Sequence, residues 1–276
     1  MISVIIPLYN KEKIIERTLR SVLSQDYDDY EVVIVDDGST DGSVTVVNTL
    51  LNQLNLRDKA HLVSQPNGGP SKARNTGVKS AKGEWFYFID ADDEMEPGAL
   101  SHLAILTREH PETEMFLGEV YVNDGKTKKI AGHYHDGYVE NMFKEHFYGR
   151  TWQCSGSTLY KTDFCRKHLY NESIRRYEDL ECLFRKYREG RVYTTSYPLA
   201  SINVEFAAAS RGRKDINEDF LGHLDFKGKS FWERMCLYKL YLSERPYYPG
   251  QVDRLYPTLK WRYDLLLLTK LLNLFK

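Results

Sequence analysis

Three unbroken apolar runs near the start of the chain constrain its fold more than any other feature. They are Ile2-Ser-Val-Ile-Ile6, Glu31-Val-Val-Ile-Val35 and Trp85-Phe-Tyr-Phe-Ile89. Each is short for a helix, and none shows the alternation of a strand with one face in water. Between the first two, Ile14, Ile15, Thr18, Leu19, Val22 and Leu23 recur at helical spacing, and Val44, Val47, Leu50, Leu51 and Leu54 follow after the second. His61–Ser64 reads as a weaker strand, Asn67-Gly68-Gly69-Pro70 as a loop, and Ser71 as the cap of a helix reaching Ala81. Strand–helix repetition with continuous rather than alternating strands predicts an α/β fold, a mostly parallel central sheet with helices on both faces.

In such sheets the ligand crevice lies beyond the carboxyl ends of the strands. Here the strands end in Pro7-Leu8-Tyr9-Asn10, Asp36-Asp37-Gly38-Ser39 and Asp90-Ala91-Asp92-Asp93, so five acidic groups are expected on one rim. Like charges repel at close range and nothing apolar is gained by gathering them; a bound cation is the natural remedy. Asp41 reads instead as a turn former and cap. Oxygen ligands favour Mg²⁺ or Mn²⁺ over Zn²⁺, and an ion so held suits a diphosphate that it can bridge. Asp36 or Asp37 could accept from a base N–H or a ribose hydroxyl, and Lys72 and Arg74 could neutralise phosphate charge.

Composition narrows the partners. Lys plus Arg total 38 and Asp plus Glu 39, a net charge of −1, which excludes a generic polyanion binder and argues against a nucleic-acid partner. The balance is uneven, with a net −6 over residues 1–100 and +5 over the rest, and 16 of the 20 Tyr follow residue 100. Cys154, Cys165, Cys182 and Cys236 form no C-x-x-C pair, which suits a reducing cytoplasm rather than a disulfide or zinc framework. The N-terminus reads as a first strand rather than a signal peptide, and no apolar run is long enough to span a membrane.

Familiar phosphate motifs are missing: there is no G-x-x-x-x-G-K-[ST], and no G-x-G-x-x-G after the first strand. Asp37-Gly-Ser-Thr-Asp-Gly42 imitates the start of a calcium loop, but its twelfth position is Asn48, not Glu. Past residue 100 the spacing predicts a helix from Pro97 to Glu109, strands at Met115–Val122, Gly156–Tyr160 and Val192–Tyr197, a helix over Asp179–Tyr187, and helical structure beyond residue 211.

At these residues the sequence resembles a family 2 glycosyltransferase of the GT-A fold. The resemblance rests on Ser3-Val-Ile-Ile-Pro-Leu-Tyr-Asn10, Ser21-Val-Leu-Ser-Gln25, Val35-Asp-Asp-Gly-Ser-Thr-Asp41, Gly69-Pro-Ser-Lys-Ala-Arg-Asn-Thr-Gly77 and Lys82-Gly-Glu-Trp-Phe-Tyr-Phe-Ile-Asp-Ala-Asp-Asp93, in order and in register. It implies a nucleotide-diphosphate-sugar donor, often a UDP sugar, Mn²⁺ or Mg²⁺ as cofactor, and inversion at the anomeric centre. By position it implies that Pro7, Tyr9 and Asp37 line the base pocket with Asp36 beside them, and that Arg74 lies near the base or diphosphate. Asp92 would approach ribose or metal, Asp93 would ligate the metal, and Asp90 would help position the motif.

Leu159-Tyr160-Lys161 is similar to a segment of the polysaccharide-building members, and Tyr177-Glu178-Asp179 to the family's Glu-Asp pair at a helix start. The resemblance makes Asp179 the general base, with Glu178 the alternate; from spacing alone, Asp179 reads as an acid favoured by the helix dipole. The family's segment that reaches back to the diphosphate is matched only loosely, by Arg211 or Arg213. Trp152 is the preferred contact for an acceptor, either a saccharide or a lipid-linked saccharide. The implied layout is a GT-A domain over 1–210, with a nucleotide-sugar half over 1–100 and an acceptor half over 101–210, and a C-terminal helical extension over 211–276. Tyr263–Phe275 would dock on the domain or in a homodimer, or lie in a membrane interface as a peripheral contact. The competing classes are a sugar-1-phosphate nucleotidylyltransferase, whose usual Gly-rich N-terminal loop is missing, and a non-catalytic nucleotide-sugar-binding subunit.

Overall fold

The computed structural model describes residues 1–152, 154–205 and 215–259. The first half runs β1 (Ile2–Leu8), α1 (Ile15–Leu23), β2 (Tyr30–Asp36), α2 (Ser43–Gln53), β3 (Ala60–Ser64), α3 (Pro70–Ser80) and β4 (Trp85–Phe88). The chain continues through β5 (Glu94–Met95), α4 (Ala99–Glu109), β6 (Met115–Asn123), β7 (Lys128–Ala131), β8 (Gly137–Tyr138) and α5 (Met142–Phe147). Then come β9 (Thr158–Lys161), α6 (Thr162–Lys167), α7 (Glu178–Tyr187) and β10 (Val192–Asn203). Beyond residue 215 lie short 3-10 turns at Ile216–Glu218 and Phe220–His223, then α8 (Phe231–Glu244) and α9 (Gln251–Leu255).

One sheet has the order β3-β2-β1-β4-β9-β6-β10-β5, with β7 beside β6 and β8 beside β10. From β3 to β4 every pairing is parallel. β9 then enters antiparallel to both β4 and β6, and β6 and β10 pair parallel again. The sheet is therefore parallel in its first half and mixed in its second.

The unbroken apolar runs follow from burial on both faces. Ile2, Val4, Ile6 and Leu8 of β1 face a core shared with α1 and α2, whereas Ile5 faces a second core shared with α3. In β4, Trp85 and Tyr87 take the first side and Phe86 and Phe88 the second. A strand that feeds two cores has no polar face, so its sequence does not alternate. α3 lies close to β1: a Cβ on Gly77 would come 2.3 Å from Ile5 Cγ2. Contrary to the expectation from the sequence, Ser71 does not cap this helix. Gly69, at φ 88, occupies the cap position, and Ser71 is turned inward, its hydroxyl donating to the Ile174 carbonyl at 3.3 Å. β10 also differs from expectation, running on to Asn203 with register shifts around Pro198.

Met235, Tyr238 and Tyr241 of α8 join the same core as Ile5, Phe86 and Phe88. α8 lies against α5, with the Cys236 thiol donating to the Phe143 carbonyl and Lys239 Nζ to the Phe147 carbonyl. All four cysteines are free. No helix among the described residues is long and apolar enough to cross a membrane. Tyr263–Phe275, Arg211 and Arg213 lie outside the described residues.

Candidate active site

β1 and β2 are in register from Ile2 with Tyr30 to Leu8 with Asp36, so the turns that follow them emerge side by side. Asn10, in the left-handed region at φ 50, ties these turns together: its amide donates to Ser39 Oγ at 3.0 Å and its Oδ1 accepts from the Thr40 amide at 2.8 Å. Pro7 is half-buried at the end of β1, and Tyr9 is exposed just beyond it. Asp36 is buried and accepts from the Ser39 amide.

Asp37 is also buried, and its carboxylate organises the loop before α3. Oδ1 accepts from Gln65 Nε2 at 2.7 Å and from the Gly68 amide at 2.9 Å, and Oδ2 accepts from the Gly69 amide at 2.7 Å. A carboxylate offers about four acceptor positions, so most of its capacity is used within the protein. The aliphatic part of Lys72 lies over Gly68 on the first turn of α3.

The acids after β4 are distributed rather than pooled. Asp92 Oδ2 accepts from Lys11 Nζ at 2.6 Å, Asp90 Oδ1 from Arg74 Nη2 at 2.9 Å, and Asp93 Oδ1 from the Asn203 amide at 2.8 Å. Among the described residues no three His, Cys, Asp or Glu side chains are gathered as a metal cluster. The repulsion expected on the rim is relieved in part by protein cations. It persists at Asp93, whose carboxyl is pushed up to about 8 by burial and then by Asp90. Neither Lys11 nor Asn203 carried a signal in the sequence, because both contacts are long-range.

The second cluster lies where α3, β4 and α7 meet. Arg74 is buried, with Nη1 3.1 Å from Glu178 Oε1 and Nη2 2.9 Å from Asp90 and 3.1 Å from Ser155 Oγ. Its Nε is buried without a hydrogen-bond partner. Burial alone would lower its pKa, but Asp90, Tyr170 and Glu178 more than offset that, and it stays charged. Arg74 is thus held between two carboxylates rather than left free for a diphosphate. Glu178 is pushed up to about 7 by burial and then by Asp179.

Asp179 is accessible at the edge of a pocket lined by Phe88, Ser155, Thr158, Tyr160, Tyr170 and Leu183, among others. Its Oδ1 accepts from the Leu180 amide at 2.8 Å, and enclosure by the surrounding protein raises its pKa despite the opposing pull of Arg74. Tyr177, immediately before this pair, has φ 59 and ψ 27. A bulky residue held there costs on the order of 1–3 kcal/mol, which the surroundings must offset. Trp152 is exposed, its amide donating to Tyr134 Oη at 3.1 Å, and is not among the pocket-lining residues.

A half-parallel, half-mixed sheet, acids at the ends of β2 and β4, and a Glu-Asp pair at the start of α7 define the GT-A class of fold. Residues 3–169, more than half of the chain, match the model of glycosyl transferase family 2, and the chain belongs to that family. It is 37% identical over 145 residues to the poly(ribitol-phosphate) beta-N-acetylglucosaminyltransferase TarS of Staphylococcus aureus, a match covering 52% of this chain and 23% of TarS. It is 28% identical over 201 residues to the glycosyltransferase GlyG of Streptococcus pneumoniae, covering 68% of this chain and 65% of GlyG. The chain therefore spans about a quarter of the length of TarS and about two thirds of GlyG. Among solved structures, S. aureus TarS 1-349 in complex with UDP-GlcNAc matches with a TM-score of 0.72 and 22% identity, over 97% of this chain and 79% of that one. This last likeness concerns the fold.

Proposed function

We propose that the protein is an inverting glycosyltransferase that moves a sugar from a nucleotide-diphosphate sugar, a UDP sugar in the first instance, to a hydroxyl of a glycan or lipid-linked saccharide. The observation that carries this reading is the bridge through Arg74. It ties Asp90, after β4, to Glu178 through one buried cation, with Asp179 at the edge of a pocket beside it. Family membership and relatives named as glycosyltransferases support the same reading.

In this reading the donor's nucleoside lies against Pro7, Tyr9 and the turn carrying Asp36 and Asp37. Asp37 acts partly through the Gly68–Gly69 backbone that it holds, and Lys72 lies at the same loop. Asp179 takes the proton from the acceptor hydroxyl as that oxygen bonds to C1 and the C1–oxygen bond to the diphosphate breaks. Attack opposite the leaving group inverts the anomeric centre. A positioned base contributes roughly 10²–10⁴-fold, most effectively when its pKa is near the working pH; the upward shift at Asp179 moves it that way. Arg74 supplies a fixed positive charge beside Asp90 and Glu178, and Trp152 offers an exposed indole face for a sugar ring.

The residues also fit a divalent cation. Asp92 and Asp93 offer oxygen ligands, and a buried carboxyl held near 8 beside Asp90 and Asp92 is one that a cation would return to its ionised form. Mn²⁺ or Mg²⁺ bound there would supply charge stabilisation for the departing diphosphate. The test is a panel of nucleotide sugars with and without Mn²⁺, reading thermal stabilisation and sugar transfer. Stabilisation by one nucleotide family with metal is expected; no stabilisation by any of them would overturn the reading.

A further inference from the structure

The strained turn that delivers Glu178 and Asp179 is held by residues from the far end of the chain. Arg176, next to Tyr177, donates from Nη1 to Asp219 Oδ2 at 2.7 Å and from Nη2 to Glu244 Oε2 at 2.6 Å. Tyr177 Oη donates to Glu244 Oε1 at 2.8 Å, and the Arg176 guanidinium lies 4.4 Å over the Tyr177 ring. Asp219 is fully buried; its Oδ2 also accepts from Tyr248 Oη at 2.6 Å and its Oδ1 from the Leu221 amide. The backbone is clamped as well. The amides of Arg175 and Arg176 donate to the Glu218 carbonyl at 2.7 and 3.2 Å, and the Phe220 amide to the Arg176 carbonyl at 3.1 Å.

A buried ion network is a poor source of net stability, because desolvation offsets most of the attraction, but it fixes geometry strictly. Here it fixes the one described residue between Arg176 and the carboxylate pair, a tyrosine in a backbone conformation that it would not adopt unaided. We infer that Arg176, Asp219 and Glu244 form a strut through which the segment beyond residue 215 sets the left-handed turn at Tyr177 and thereby aims Asp179. Asp219 and Glu244 are positioning residues: they lie away from the pocket-lining set and act through Arg176 and Tyr177. This inference rests on Asp179 being the base.

The experiment compares full-length Glu244→Ala, Tyr177→Phe and Asp179→Asn with the parent protein, using the best nucleotide sugar and acceptor from the panel. It reads kcat, donor KM, UDP binding by calorimetry and melting temperature. Misplacing a catalytic group by about an ångström costs on the order of 10²-fold, so Glu244→Ala should lower kcat by about 10–100-fold. Tyr177→Phe, which deletes one hydroxyl and leaves the core intact, should lower kcat by about 3–10-fold by the same geometric argument. Donor KM and UDP affinity should stay within about twofold in both, since no interaction with the nucleotide is removed. If Glu244→Ala does not fold, Tyr177→Phe decides alone. Unchanged kcat in the folded variants with an inactive Asp179→Asn, or a kcat loss matched by equal loss of UDP binding, overturns the strut. Normal turnover in Asp179→Asn instead overturns the base assignment on which it rests.

Discussion

Nη1 of Arg74 lies 3.1 Å from Oε1 of Glu178, although the two residues are 104 positions apart. The same guanidinium holds Asp90, so one buried cation joins the acidic end of β4 to the start of α7. Lysine cannot replace it, because a single ammonium lacks the planar fork that reaches two carboxylates.

Arg74→Met should therefore leave Glu178 and Asp90 without their cation and destabilise the fold. Breaking a buried pair from one side typically costs about 3–5 kcal/mol. Glu178 is nearly buried but Asp90 is more than a third exposed, so the lower end is expected. Urea denaturation checks it; a midpoint equal to that of the parent would mean the bridge contributes nothing.

Asp179→Asn should cut turnover by at least about 10²-fold while leaving UDP affinity intact, as expected for a general base that does not touch the nucleotide. Steady-state kinetics beside calorimetry separates the two effects. Equal losses in both would place Asp179 in donor binding instead.

The sign of the pH dependence follows from Asp93 and Glu178. Both carboxyls are raised in the fold, to about 8 and about 7, so between about pH 4 and those values the native state binds more protons than the unfolded chain. Stability of the metal-free protein should then fall as pH rises through that window. Asp93→Asn keeps an acceptor for the Asn203 amide but removes the charge, so it should flatten the slope. At pH 8 it should raise the melting temperature by a few degrees, about 2–4 °C per kcal/mol for a chain approaching this size. It should also abolish any added stabilisation by Mn²⁺ with UDP. Differential scanning calorimetry across pH, with and without metal, measures all three.

Gly77→Ala tests the close approach of α3 to β1. Alanine suits a helix better than glycine by about 1 kcal/mol, but its methyl would meet Ile5 Cγ2 at 2.3 Å in a fully buried site. Overpacking of that kind costs about 1–3 kcal/mol, so after the helix gain a net loss of up to about 2 kcal/mol is expected. A more stable variant would show that α3 can withdraw from the sheet.

The legible parts of the sequence were those with a local cause. β1, β2 and β4 read as strands because each feeds two cores, and the acids that follow them stood out because nothing in folding alone explains their grouping. The rest depended on distant contacts. The strand expected at Val192–Tyr197 runs on to Asn203, because β6 is there to pair with it. Ser71 precedes a helix as a cap would, yet it is drawn inward to Ile174. The acids look unpaired along the chain, but Lys11, Arg74 and the Asn203 amide reach three of them in space. Nothing local marks Tyr177 for a left-handed turn, since glycine or asparagine would be the usual choice.

The antiparallel entry of β9 has a consequence for synthesis as well as for shape. β4 pairs with β1 on one side, and its other edge is met by Leu159-Tyr160-Lys161, some seventy residues later. Until the ribosome has delivered those residues, a Trp-Phe-Tyr-Phe strand presents open backbone groups on a strongly apolar segment, the kind of edge that recruits other chains. A product truncated before Lys161 would keep that edge exposed, so the first half of the sheet, however complete its own parallel pairing, is expected to aggregate when cut out by itself.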